Sequence, residues 1–233
     1  MGQYYYPVLM TGTGGRLIGS FYAHSFDDNG LKLTEHSYIG NQFVESVIAK
    51  AMFSGYPTTI VWIGDYACLE DDVLPLTAHA FYNPKDNVAG IRRDYPRIFL
   101  RAQRAMDNEV RRIPSDDPEI VEFLPKAKKI VMYDLLRREK INLREYEEHA
   151  IAERVKNGTK QNWFDDPREF ILHPLPILTC SGNGKGGGDY SGTDMEMVGA
   201  WAMHPILIQE EGQPDPVGKW KDISTELWFE EVL

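Results

Sequence analysis

Six glycines fall within eleven residues in Ser181-Gly182-Asn183-Gly184-Lys185-Gly186-Gly187-Gly188-Asp189-Tyr190-Ser191-Gly192. Glycine loses more backbone freedom on folding than any other residue, so such a run needs a physical reason. Successive amides of a glycine-rich turn can wrap an anion, and Lys185 inside the run adds a full positive charge. The chemistry this pattern fits is phosphate binding. Lys185 and the amides around Gly186, Gly187 and Gly188 would meet the phosphate, and Asn183 and Asp189 would fix polar edges. Tyr190, or Tyr66 from elsewhere in the chain, would stack on a base. A surface loop with no ligand is the competing reading. The run is not a Walker loop, because Gly184-Lys185 is followed by Gly186 where a Ser or Thr is required. It spells GxGxxG from Gly182 to Gly187, but a strand pattern rather than a helix follows, which excludes a dinucleotide fingerprint.

The triplet Gly188-Asp189-Tyr190 echoes Gly64-Asp65-Tyr66. Asp65 closes a short apolar strand, a position where carboxylates often do chemistry. Paired with Asp189, it would hold a divalent cation or transfer protons; a turn-forming aspartate is the plainer alternative. His36, in Glu35-His36-Ser37-Tyr38-Ile39-Gly40-Asn41, is the best-placed of six histidines to serve as acid or base. Its alternative role is structural, bonded to backbone where a helix begins. Asn41 would line the same site. No HxxxH or HxH spacing offers a preformed metal site, and no metal or cofactor is assigned. Gly-x-Ser-x-Gly is absent, and neither Cys68 nor Cys180 has a helper visible in sequence.

Arginines form a third pattern. Arg92, Arg93, Arg97, Arg101, Arg104, Arg111 and Arg112 crowd a short stretch, and Arg97, Arg101, Arg104 and Arg111 share one face of a helix at spacings of four, three and seven. Guanidinium groups grip phosphates and carboxylates in bidentate fashion. The rival expectation is a solvated face neutralised by the protein's own acidic surplus. Aromatic interleaving for single-stranded nucleic acid is thin, with Tyr95 and Phe99 only, so nucleic acid is not expected as a partner.

Periodicity predicts the elements that must position these groups. Tyr4 to Met10 and Leu17 to Phe26 read as a hairpin around Thr11-Gly12-Thr13-Gly14-Gly15. A helix is expected near Ser37 to Phe53, because Phe43, Val44, Val47, Ile48, Ala51 and Met52 recur on one face. Thr58 to Ile63 reads as a buried strand with Trp62 in the core, and Ile98 to Ile113 as a helix. Lys129 to Asp134 with Glu139 to Leu143 forms a second hairpin, and Glu145 to Lys156 an exposed helix. Phe170 to Cys180, with two prolines, reads as an edge strand, and Met197 to Gln209, containing Trp201, as another strand. Trp220, Leu227, Trp228 and Val232 give the acidic tail a means of docking. The expectation is one α+β domain over 1–233. Its antiparallel or mixed sheet would be built from N- and C-terminal hairpins with helices packed on it, and a basic, partly helical insertion would lie around 92–144.

Bulk composition narrows the classes. The 233 residues carry a net charge of −10, yet residues 92–144 hold 14 Lys or Arg against 9 Asp or Glu. An acidic chain does not wrap nucleic acid with its whole surface. Two distant cysteines suit a reducing compartment. No apolar run is long enough to span a membrane and no leader is recognisable, so a cytoplasmic protein without membrane association is expected.

The opening Met1-Gly2-Gln3-Tyr4-Tyr5, with Leu31-Lys32-Leu33-x-Glu35-His36-Ser37-Tyr38-Ile39-Gly40-Asn41 and Trp62-x-Gly64-Asp65-Tyr66-Ala67, resembles uncharacterised proteins of bacteriophages and bacterial mobile elements. His173-Pro174-Leu175-Pro176 with Gly182 to Tyr190 is similar to a second signature of that group. The resemblance implies a phage context, hence the host cytoplasm, and brings no activity, cofactor or catalytic residue with it. The leading functional expectation is binding, without turnover, of a phosphate-containing small molecule such as a nucleotide. A metal-assisted hydrolase using Asp65, Asp189 and His36 is the enzymatic alternative. The third is a protein-binding inhibitor or assembly factor whose partner is a host or phage protein. Oligomeric state is open to all three.

Overall fold

A computed structural model describes residues 2–26, 29–72, 94–157 and 170–230. Arg92, Arg93, His79 and Val232 lie outside the described residues. The first hairpin forms as the alternation predicts, with β1 (Tyr5–Thr11) antiparallel to β2 (Leu17–Ser20). The opposite edge of β1 pairs along its whole length with β3 (Thr58–Gly64). Every residue of β3 is buried. Ile60 and Trp62 pack in one core, Val61 and Ile63 in a second on the other face, which is why β3 reads as a continuous apolar run.

Downstream of β3 come β4 (Ile130–Asp134), β5 (Glu139–Asn142), β6 (Cys180–Ser181), β7 (Pro205–Glu210) and β8 (Lys221–Asp222). The eight strands make one mixed, mostly antiparallel sheet of order β2-β1-β3-β7-β4-β5-β8, and the fold is α+β. Residues 130–142 of the basic segment are thus two strands of the common sheet, β4 and β5, not an appendage to it. The second expected hairpin forms as β4 antiparallel to β5, and β7 enters between β3 and β4. The free edge of β3 is divided. Thr58 and Thr59 pair with β7, whereas Trp62 and Ile63 take the short parallel strand β6.

Helices cover both faces. α1 (Leu33–His36) is a single turn, and α2 (Gln42–Phe53) is buried continuously from Phe43 to Ala51. Each large apolar side chain it buries is worth about 1.5–3 kcal/mol. Asn41 caps α2, its Oδ1 accepting the amides of Phe43 and Val44. Lys50 stays within this buried surface because Asp117 and Glu119, at the start of α5 (Pro118–Phe123), pair with its ammonium. α3 (Leu69–Asp72) follows β3, and α4 (Tyr95–Asp107) covers the second core with Tyr95, Ile98, Phe99, Ala102 and Ala105. Tyr95 and Phe99 are core residues, unavailable for stacking. α6 (Leu143–Asn157) follows β5 directly.

One expected element is of a different type. Residues 174–179 are not an edge strand but a wholly buried helix, α7 (Pro174–Thr179). Pro174 occupies its first position and Pro176 its third, where amides have no intrahelical partner to lose, so both prolines are accommodated. The expected strand from Met197 shortens to β7, because turns occupy residues 198–204. The tail docks: Leu227 and Phe229 are buried, and Glu230 forms a buried ion pair with Arg154 of α6 at 3.0 Å.

Candidate functional site

The glycine run does meet an anion, but a carboxylate of its own chain. Asp189 Oδ2 accepts the amides of Gly184, Lys185 and Gly186 at 2.7, 2.7 and 2.8 Å. Its Oδ1 accepts the Tyr5 hydroxyl at 2.8 Å. Asn183 clamps the other end of the turn. Its Nδ2 donates to the Tyr190 carbonyl and its Oδ1 accepts the Tyr190 amide. Three converging amides favour negative charge, as the sequence implies; Asp189 supplies it from within the turn.

Close approach explains Gly182, Gly186, Gly188 and Gly192, and a positive φ explains Gly184. Gln3 threads past the run, its amide donating to Gly187 O at 3.1 Å and its Nε2 to Gly182 O at 2.9 Å. A Cβ at Gly186 would lie 2.5 Å from Gln3 Cβ and 2.8 Å from its backbone nitrogen, so only glycine fits. On the other side of the N-terminal segment, Asp65 Oδ1 accepts the Tyr4 amide and the Asp65 amide donates to Tyr4 O. Both GDY triplets therefore lie against the N-terminal segment, Asp65 at Tyr4 and Asp189 at Tyr5. What lies between them is residues 2–5 of the same chain.

The remaining residues expected in this site have structural roles. Lys185 reaches away from the amides, donating to Asp71 Oδ2 at 3.1 Å and lying 3.4 Å from Cys68 Sγ. Tyr190 is buried against Phe229, its hydroxyl donating to Thr193 O, so it cannot stack on a base. Tyr66 is exposed. His36 is fully buried and both ring nitrogens are taken, although its helix abuts the run through the Thr34 amide, which donates to Gly188 O. Nδ1 lies 3.0 Å from Gly30 O and Nε2 accepts the Trp62 indole N–H at 3.0 Å. Those partners fix the tautomer with the proton on Nδ1, and burial pushes the imidazole down to about 4. Asn41 is committed to its cap and to Asn29. Among the described residues no group of three or more His, Cys, Asp or Glu is arranged to hold a metal. None of their helices is long and apolar enough to cross a membrane.

The arginine stripe fares differently. α4 lies directly on the first hairpin, so close that a Cβ at Gly14 would sit 2.2 Å from Ile98 Cγ1. Its outer face and that hairpin enclose an open groove of about 680 Å³, lined by Leu17, Pro96, Arg97, Leu100, Arg101, Arg104, Ala105, Asn108 and Val110. Arg101 donates to Gly14 O and so pins helix to turn. Arg97 and Arg104 are exposed and make no ion pair with any described residue. No carboxylate of the described residues pairs with either of them. Arg97 also sits in the first turn of α4, which carries no acidic residue. A cation there opposes the helix dipole at a cost of about 0.3–1 kcal/mol.

A second groove of about 490 Å³ adjoins the first. Leu17 lines both, and Arg16, Arg111, Phe53 and Tyr56 line the second. Spacing on α4 made Arg97, Arg101 and Arg104 legible in the sequence. Leu17, Arg16 and Tyr56 were not, because they come from a hairpin and a helix terminus that only the fold brings alongside. No protein-family model, curated protein or solved structure matches the chain.

Proposed function

We propose that this chain is a binding protein that holds an anionic partner, without turning it over, in the groove of Arg97, Arg101 and Arg104. The observation that carries the reading is that Arg97 and Arg104 lack a carboxylate among the described residues of a chain with 35 acidic side chains and 25 basic ones. Two exposed guanidiniums three or four residues either side of Arg101 offer paired donor forks to phosphate or carboxylate oxygens. Leu17, Leu100 and Val110 supply an apolar floor beside them, so the ligand combines negative charge with an apolar part. A phosphate-containing small molecule such as a nucleotide is one form of that anion; a host or phage protein, in the context the sequence resemblance implies, is another.

The glycine run supports this assignment by default. Its amides are occupied by Asp189 and its lysine by Asp71. An external phosphate would have to displace a carboxylate held by four hydrogen bonds, whereas at Arg97 and Arg104 it meets no carboxylate of the described residues. Titration calorimetry at low salt with tripolyphosphate, nucleotides and polyglutamate tests the reading. Saturable binding by at least one, weakened by Arg97→Glu with Arg104→Glu, is the expected result. Absence of binding by all three defeats it.

A further inference from the structure

Resting on that reading of the groove, we propose that its partner is an acidic amphipathic segment of another protein, laid along both grooves. The grooves adjoin at Leu17, which lines both. Arg111 bonds the Leu17 carbonyl at 2.6 Å and Arg101 bonds that of Gly14, which holds two cationic side chains at the junction. Together the surfaces present Arg16, Arg97, Arg101, Arg104 and Arg111, none ion-paired with a described residue. The acidic side chain at the far end, Glu119, is already bound to Lys50. A small anion would use one or two of these cations. An extended ligand with acidic groups at intervals uses the whole row.

The apolar content decides between kinds of polyanion. Leu100 is 40% exposed, Val110 42%, Phe53 41% and Tyr56 76%. Contiguous exposed apolar side chains rimmed by charge mark protein-interaction surfaces. Arginine with aromatic residues, and no unpaired lysine, is also the composition enriched at the centre of protein interfaces. A single-stranded nucleic acid needs a row of accessible rings as stacking platforms. Here the described lining residues offer two exposed rings, Tyr56 and Phe53, the latter packed edge-on against Phe123 at 5.7 Å, and two rings do not make a row. An amphipathic helix with leucines on one face and glutamates flanking them meets both features: apolar floor and arginine rim.

The test is fluorescence anisotropy with four labelled probes: a helical Glu/Leu amphipathic peptide, a Glu/Ser peptide of equal charge, an oligo-dT of equal charge, and ADP. The expected result is that the Glu/Leu peptide binds about tenfold or more tighter than the other three. That binding should weaken on Arg97→Glu with Arg104→Glu, and on Arg16→Glu in the second groove. These exposed positions leave the fold intact, which an unchanged melting temperature verifies. Oligo-dT binding as tightly as the Glu/Leu peptide overturns the proposal in favour of nucleic acid. ADP or the Glu/Ser peptide binding equally well overturns it while leaving the anion groove standing. Failure of all four probes removes both.

Discussion

Asp189 and Tyr5, 184 residues apart in the chain, are joined by a 2.8 Å hydrogen bond from the Tyr5 hydroxyl to Asp189 Oδ1. The same carboxylate holds three amides of the glycine run through its other oxygen. Asp189 thus ties the C-terminal glycine turn to the first strand of the sheet. It acts as the structural anion of a nest that would otherwise demand an external one.

Replacing it should therefore cost stability rather than binding. Asp189→Ala leaves three converging amides without an acceptor, and each unsatisfied group costs about 1–3 kcal/mol, less where water can reach it. With Gly184 exposed, the expected loss is about 2–4 kcal/mol in urea denaturation. Asp189→Asn keeps one acceptor oxygen and should lose less. An unchanged unfolding midpoint for the alanine variant would show that the carboxylate does not hold the turn.

His36 predicts a pH dependence with a definite sign. Burial holds its folded-state value at about 4, below the ordinary value near 6.5. Between those values the unfolded chain binds a proton that the folded chain refuses, so stability rises with pH across the window. The contribution is complete above about pH 7 and lost as pH falls toward 4, on the order of 3 kcal/mol. His173, driven down to about 3 by burial, extends the loss to lower pH. Urea midpoints between pH 7 and 4 should fall steeply for the wild type and less steeply for His36→Gln. Parallel slopes would contradict the assignment.

Arg154 and Glu230 fasten the tail against α6 in a buried pair, and burial raises the Glu230 carboxyl above its ordinary value. Removing one partner of such a pair is expected to cost about 3–5 kcal/mol, because the other charge is stranded. Arg154→Ala, which strands the Glu230 carboxylate, should do so in thermal denaturation. Arg154→Met combined with Glu230→Leu should recover much of the loss. A double variant as unstable as the single one would show that the ion pair itself is required.

Physical reasons separate what was readable in the sequence from what was not. α2 and β1–β3 were legible because one buried face, or two, imposes a period on Phe43 through Ala51 and on Thr58 through Gly64. α7 was misread because two prolines in His173-Pro174-Leu175-Pro176 look like a broken strand, when the first turn of a helix tolerates both. The GDY triplets were visible as a repeat. Their common neighbour was not, since nothing in local sequence says that residues 2–5 fill the gap. The arginine stripe was legible as spacing, but whether its cations meet carboxylates depends on where 35 acidic side chains fold. Local patterns report which face a residue takes; long-range pairing decides whether its charge is spent.

The most direct measurement compares two variants against the same anion in one titration series. The exposed Lys185–Asp71 pair is worth about 0–1 kcal/mol, so Lys185→Ala folds, and binding of the Glu/Leu peptide or tripolyphosphate should stay within about twofold of wild type. Arg97→Glu with Arg104→Glu should weaken it by about tenfold or more. Affinity lost in Lys185→Ala and retained in the arginine variant would return the site to the glycine run and contradict the account.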